Sequence, residues 1–567
     1  MTLLLPDWES LSLAEQVAQL IVVRTTGHLF DHQIQYPAWE ATNPQLQHWL
    51  GELGIGGVIL LGGSAAEVGL RSRQLQDWAR IPLLIAADIE EGVGQRFAGA
   101  THFPPPMALG AIARQNLPAA IALAEAMGAT TAQEAWAIGI NWVLAPVVDV
   151  NNNPANPVIN VRAFGETPEQ VSQLTTAFIR GAQRHPALVT AKHFPGHGDT
   201  ATDSHLNLPL LPHSRQRLAQ IEFPPFEAAI AAGVDAVMSA HLIVPALDAT
   251  YPATLSAATL TGELRKNLGF EGLIVTDALI MGAIAQFCDA AEAAVLAVEA
   301  GADILLMPDD PERAIAAVCE AVHSGRLTPE RIHASLERIW RAKHRIVAPM
   351  LQGGTSHSWE NVPPPPIQLA QIAQPGAIAT SETILRQSMT VHHPVSSRLQ
   401  TPQWQANRRN LILVDQVVQC EYLPRTAPAI ALPQQWGYTL QLVDSQTPQQ
   451  AIAQDATSQQ SPWQSTLLQL FIRGNPFRGS AGLNQLAQSW LEMLIQSDQL
   501  QAVILYGSPY VLDAIRPQLP LDVSYVFTYG QMPGAQKIAL EALLGNWEVP
   551  PGESLGQEKR GDRQFTT

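Results

Sequence analysis

Cysteine is scarce in this 567-residue chain. The three present, Cys288, Cys319 and Cys420, are far apart and odd in number. They give no disulfide framework and no zinc ribbon, and read as small buried hydrophobes in a reducing compartment. Positive charge is also under-represented: 33 Lys and Arg face 50 Asp and Glu, a formal net charge of −17. That balance repels a phosphate backbone and argues against a nucleic-acid partner, while saying nothing about a neutral ligand. No uninterrupted apolar run approaches the ~20 residues that span a bilayer. The opening MTLLLPDWESLS has too short an apolar run for a signal peptide and no basic flank. The expectation is a soluble, cytoplasmic protein without a membrane span, most simply a monomer.

What is present is ordinary globular chemistry, with 46% hydrophobic and 15% charged residues. One hydrophobic core rarely grows to this length, so at least two domains are expected. Through the first 350 residues short apolar runs alternate with helix-like stretches such as Pro118–Ala137 and Pro168–Arg184. The expected strands are Ala18–Val23, Gly57–Leu61, Pro82–Ala87, Ile140–Ala145, Leu188–Ala191, Ala236–Ser239, Leu273–Thr276 and Ile304–Met307. Eight strands alternating with helices predict an α/β fold, a closed (β/α)8 TIM-type barrel. An open doubly wound sheet is the competing topology, but it calls for a glycine-rich phosphate loop after the first strand, and none is there. Polar residues stand just after the strands: Asp88, Asp149, Lys192 and His193, His241, Asp277 and Asp309. Barrel enzymes place their chemistry at those strand ends, although any one of these residues also suits a helix cap.

After residue 349 the pattern breaks. Residues 350–372 are rich in Pro and Gly and include Pro363–Pro366, which predicts an extended linker. Residues 373–552 then read as a smaller α/β sandwich domain, with strands at Leu411–Val414, Leu467–Phe471, Ala502–Leu505 and Val523–Phe527 and helices at Leu483–Gln496 and Gly534–Leu544. The Gln-rich stretch from Gln434 to Gln464 reads as surface loop, and 553–567 as a polar tail.

The residues richest in chemistry are 192–205, KHFPGHGDTATDSH, directly after an expected strand. Pro195, Gly196 and Gly198 oppose a helix and favour a shaped loop. From the residues alone two chemistries compete. His193, His197 and His205 suit a metal such as zinc or iron, though no second cluster of ligand spacing accompanies them. Alternatively Asp203 and His205, two apart, lie on one side of an extended segment and form a dyad. A carboxylate on imidazole fixes its tautomer and stabilises its cation. The plain alternative is an exposed ion pair.

The run Lys192–Gly198, followed by Asp203-Ser204-His205, resembles the signature of glycoside hydrolase family 3, and more narrowly its bacterial β-N-acetylhexosaminidases. The resemblance covers most of residues 8–345; the second domain resembles the family's C-terminal α/β sandwich less closely. It implies Asp277, in GLIVTDALIMG, as nucleophile, with His205 as acid/base oriented by Asp203. It further implies Asp88, Arg96, Arg162 (in NVRAFG), Lys192 and His193 as sugar-binding residues, and no metal or cofactor. Arg and Lys offer several N–H donors to hydroxyl and carbonyl oxygens, which suits a sugar. The implied reaction is a retaining double displacement that releases terminal β-linked N-acetylglucosamine, with muropeptides as one fitting substrate. After donating its proton a histidine is neutral, so a phosphate acceptor meets less repulsion than a glutamate would offer. Phosphorolysis beside hydrolysis therefore stays open, as do a β-glucosidase of the same family and a silent sugar-binding protein. The sequence departs from the family's Asp-x-Glu-Gly-Gly-Arg at Glu91 and Val93, and has Ala163 where serine is common.

Overall fold

The computed structural model describes residues 5–200, 208–347, 367–395, 407–416, 420, 422–444, 447, 463–473 and 481–544. Eight parallel strands come first in the chain. They are β1 Ile21–Thr26, β2 Gly57–Leu61, β3 Leu84–Ala87, β4 Trp142–Val143, β5 Leu188–Phe194, β6 Ala236–Ser239, β7 Leu273–Val275 and β8 Leu305–Leu306. Their spatial order is β7-β6-β5-β4-β3-β2-β1-β8. A parallel bridge between Val275 and Ile304 joins the two ends, so the sheet closes into the expected barrel. Both faces of these strands are covered, which is why 22 of their 33 residues are Val, Ile, Leu or Ala.

The strand ends differ from expectation where neighbouring chemistry intervenes. β1 begins at Ile21 rather than Ala18, because Leu13–Ala18 is a short helix. Its N-cap Ser12 and Glu15 form a reciprocal capping box, with the Ser12 amide donating to Glu15 at 2.8 Å. β4 is only two residues long, and Pro146 soon after has no N–H to extend the ladder. β5 runs on to Phe194, so Lys192 and His193 lie on the strand itself rather than after it.

The second sheet has the order β11-β10-β12-β13-β14-β9. Its strands are β9 Thr390–His392, β10 Arg408–Leu413, β11 Tyr438–Val443, β12 Ser465–Ile472, β13 Leu500–Gly507 and β14 Ser524–Thr528. All are parallel except β9, which pairs antiparallel with β14. The reading of Gln434–Gln464 as loop is corrected at its start. Tyr438–Val443 is an edge strand on β10, half-buried, with Thr439 exposed and Gln441 accepting from the buried Arg409 at 3.1 Å. Residues 448–462 of that stretch, the Gly353–Pro366 run and the tail from Glu553 lie outside the described residues.

The two sheets are braced together. The helix Pro375–Ser388 packs against the barrel helices Met107–Ala113 and Leu117–Ala137 and against Pro533–Leu543 of the second unit. Before it, the Gln368 amide donates to Ala137 and the Ala373 amide to Glu134. Among the described residues no helix is long and apolar enough to cross a membrane.

Lys343, on the helix Pro329–Val347, is fully buried away from the strands' C-terminal ends. Its Nζ donates to Gln19 Oε1 at 2.7 Å, and burial pushes its pKa down to about 7. Because the folded value lies below the unfolded one, the unfolded chain holds the extra proton between the two. Stability therefore rises with pH from about 7 towards the ordinary lysine value of about 10.4, by about 1.4 kcal/mol per pH unit from this group. Urea unfolding of wild type and Lys343→Met across pH 7.5–9.5 checks this; equal slopes would remove the argument.

Candidate active site

The C-terminal ends of β3, β5 and β7 carry the chemistry. β3 ends at Ala87, and the next residue is Asp88. Its carboxylate meets Lys192 Nζ at 2.7 Å, and the same ammonium lies 2.7 Å from Glu90 Oε1. Arg162 comes from a single helical turn, Asn160–Arg162, in the crossover between β4 and β5. It grips Glu90 bidentately, Nε to Oε2 at 2.9 Å and Nη2 to Oε1 at 2.8 Å, and its Nη1 donates to the Val158 carbonyl. Two cations thus share two carboxylates. Burial opposes the charge on Glu90, but Arg162 and Lys192 outweigh it and hold the carboxyl well below its ordinary range. Burial likewise opposes charge on Lys192, and Asp88 and Glu90 overcome it, so its pKa is raised.

Exposure separates the two carboxylates. The Glu90 side chain is 4% exposed, whereas that of Asp88 is 36% exposed. Asp88 is the acidic group that faces the mouth and can accept from a ligand hydroxyl; Glu90 neutralises cations from below. Arg96, expected beside them as a sugar-binding residue, donates Nε to the Asp88 carbonyl at 3.0 Å and so holds the Asp88 turn.

His193 sits beside this cluster. Its Nδ1 lies 2.8 Å from Asp149 Oδ2, and its Nε2 faces Arg162 Nη2 at 3.4 Å. A guanidinium only donates, so Nε2 accepts and the ring proton lies on Nδ1, towards Asp149. Asp149 is fully buried and also takes the amides of His193 and His197, the latter at 2.7 Å. Burial resists its charge, but His193 and these N–H donors hold its carboxyl below the ordinary range. His197 is buried, its pKa pushed down to about 4, and its Nδ1 pairs with the Thr200 hydroxyl at 2.7 Å. Gly198 permits this loop to close: a Cβ there would stand 1.8 Å from the Val150 carbonyl oxygen.

Asp277 follows β7 and is half-buried, its Oδ1 accepting the Ala278 amide at 2.8 Å. His241, just past β6, is fully buried, with Nε2 at 3.0 Å from the Ala278 carbonyl and Nδ1 at 2.8 Å from Thr254 Oγ1. The backbone beside Asp277 is thereby pinned from the neighbouring strand. Asp203 and His205 lie outside the described residues. Among the described residues no group of three or more His, Cys, Asp or Glu is arranged to hold a metal ion.

The second unit meets the barrel at this mouth. Arg473, the first residue after β12, pairs with Glu91, which is 1% exposed and also faces His102 Nε2 at 3.3 Å. Burial opposes the Glu91 charge and Arg473 outweighs it, so its carboxyl is held below the ordinary range. Ser508 donates to Asn160 Oδ1 at 3.0 Å, and the Tyr510 hydroxyl accepts from Asn151 and donates to Glu166, both at 2.8 Å. The unusual Glu91 therefore has a local purpose: it receives an arginine from the other sheet. Val93 is fully buried in the barrel core.

The sequence reading brought together Asp88, Lys192, Arg162 and His193, and the structure joins these four in one hydrogen-bonded array. It did not assign a role to Glu90 or Asp149. Asp149 carried the same strand-end signal as Asp88; Glu90 carried the Glu of the Asp-x-Glu-Gly-Gly-Arg pattern, two residues after Asp88.

Comparison with known proteins agrees with this geometry. The family model described as Glycosyl hydrolase family 3 N terminal domain matches residues 12–342, and the Bacterial Glycosyl hydrolase family 3 C-terminal domain matches residues 401–545. The chain is 35% identical over 335 residues to the beta-hexosaminidase A of Pseudoalteromonas piscicida, covering 53% of this chain and 55% of that one. It is 36% identical over 303 residues to a beta-hexosaminidase of Alkalilimnicola ehrlichii, covering 52% and 86%. The match thus spans only about half the length of the Pseudoalteromonas relative. A solved glycoside hydrolase family 3 beta-N-acetylglucosaminidase from Paenibacillus sp. str. FPU-7 is similar with a TM-score of 0.74 at 30% identity, over 95% of this chain and 98% of that one. A closed barrel with a charged array at its mouth, a second sheet docked on that mouth and two adjoining family matches lead to one conclusion: the chain belongs to glycoside hydrolase family 3.

Proposed function

We propose that this chain is a β-N-acetylhexosaminidase that removes terminal β-linked N-acetylglucosamine by double displacement. The observation that carries the reading is the half-exposed Asp88 carboxylate, held by a buried Lys192 at the end of β3, on the same barrel mouth as Asp277. The relatives named beta-hexosaminidase and beta-N-acetylglucosaminidase support the choice of sugar.

In this mechanism Asp88, Lys192, Arg162 and His193 hold the sugar ring, and Arg96 keeps the Asp88 turn in place. Fixing the ring lowers the entropic part of the barrier. Asp277 attacks the anomeric carbon and forms a glycosyl ester as the glycosidic bond breaks. His205 gives its proton to the leaving oxygen, then takes one from the incoming water, which releases the sugar with retained configuration. Asp203 orients the His205 ring. Muropeptides fit this specificity as substrates.

The test compares an aryl N-acetyl-β-glucosaminide with the aryl β-glucoside. A kcat/KM preference of at least about tenfold for the N-acetyl sugar is expected, and the reverse preference would assign a β-glucosidase. His205→Ala is expected to lose about 10²–10⁴-fold on substrates with poor leaving groups and much less on activated aryl glycosides. Equal losses on both would count against the proton-donor role. Sugar 1-phosphate among the products in phosphate buffer would show phosphate acting as acceptor beside water.

A further inference from the structure

The loop that leaves the C-terminal end of β1, residues 27–42, carries Phe30, Tyr36 and Trp39, large apolar side chains left open to solvent at 60%, 42% and 42%. The last two form a built surface. The Glu40 carboxylate, 2% exposed, accepts the amides of Gln35 and Tyr36 at 3.1 and 3.3 Å and the Arg24 guanidinium at 3.4 Å. This fixes the turn so that the Tyr36 and Trp39 rings stack, with centroids 5.7 Å apart and planes 17° from parallel. The Arg24 guanidinium carbon lies 5.2 Å from the Tyr36 ring and 5.4 Å from the Trp39 ring.

Arg24 ties this surface to the charged array. On the sheet it stands beside Ile59, which stands beside Ala86, and Asp88 follows two residues later, just past the end of β3. Burial lowers the Arg24 pKa, and the charges of Glu40 and, more weakly, Asp88 act against that. Arg24 Nε is buried and has no hydrogen-bond partner, although an unmet donor of this kind is costly. An aromatic pair open to solvent, with an under-used guanidinium on its inner side, is suited to a sugar ring. The ring's C–H face lies on the aromatics and its hydroxyls accept from the part of the Arg24 side chain that remains exposed, 14% of it. The acidic chain makes a polyanion an unsuitable occupant.

We propose that Arg24, Tyr36 and Trp39 form a leaving-group subsite that binds the second sugar of a β-linked oligosaccharide. The proposal rests on the glycosidase reading above. The subsite sets preference among leaving groups and does not take part in bond breaking.

The test uses two substrates with the same first sugar. N-acetyl-β-glucosaminyl fluoride has no leaving sugar, whereas the β-1,4-linked disaccharide of N-acetylglucosamine does. Tyr36→Ala and Trp39→Ala are expected to lower kcat/KM on the disaccharide roughly tenfold, chiefly through KM, a change of about 1.4 kcal/mol. Activity on the fluoride is expected to stay within about twofold, and Trp39→Phe to restore most of the loss. Equal losses on both substrates, or no loss on either, overturn the subsite. A wild-type protein that turns over neither substrate overturns the functional reading, and the subsite with it.

Discussion

Asp277→Asn is expected to lower kcat on an aryl N-acetyl-β-glucosaminide by about 10⁴-fold or more while leaving the fold and sugar binding nearly unchanged. The magnitude is that of removing a nucleophile from an enzyme that has no substitute for it. The reason the fold should survive is local. Asp277 Oδ1 accepts the Ala278 amide, and an asparagine oxygen accepts it equally well. His241 continues to hold the Ala278 carbonyl from the other side. The side chain is half-buried at a strand end, so the isosteric change leaves no cavity. Kinetics of the variant, with thermal melts in the presence and absence of N-acetylglucosamine, separate chemistry from binding. Near wild-type turnover would remove Asp277 from the mechanism.

Glu90→Gln has the second largest expected effect, and it acts on stability and on substrate binding together. Glu90 is buried and answers both Arg162 and Lys192. An amide there leaves Lys192 paired with Asp88 alone and takes from Arg162 the carboxylate it grips, and its NH2 group meets a donor. Breaking a buried charge array in this way costs about 3–5 kcal/mol, read as a lower urea midpoint. Because Arg162 and Lys192 also hold the ligand in the proposed mechanism, kcat/KM is expected to fall about 100-fold or more. A pH signature accompanies this. The folded Glu90 carboxyl titrates well below its ordinary value, so its contribution is complete above the unfolded-state value of about 4.3 and is lost as pH falls towards the folded one. The variant should therefore lose less stability than the wild type between pH 5 and 3. A stability change under about 0.5 kcal/mol at pH 7 would contradict the array.

The second sheet bears on both results, because its strand ends meet the same mouth. The Arg473–Glu91 pair stands directly beside Glu90 in the chain, and Ser508 and Tyr510 hold the crossover that carries Arg162. Three of the acidic groups, Asp88, Glu90 and Glu91, are matched by Lys192, Arg162 and Arg473, and the third match exists only when the two units are docked.

What the sequence determined by itself was the alternation of short apolar runs with helices, and the polar residues that end those runs. Both are written in adjacent residues, so the barrel and the strand-end positions of Asp88, Lys192, His193 and Asp277 were legible without coordinates. Boundaries were less so where a cap such as Ser12–Glu15 or an edge position such as Tyr438–Val443 overrode composition. Only the tertiary structure decided which charges meet. Glu90 finds Arg162 across 72 residues, Glu91 finds Arg473 across 382, and Arg24 reaches rings on its own outgoing loop. The physical reason is that burial and pairing create each other. A carboxylate is kept out of water only where packed elements bring cations or N–H and O–H donors to it, and no local pattern records which distant partner arrives.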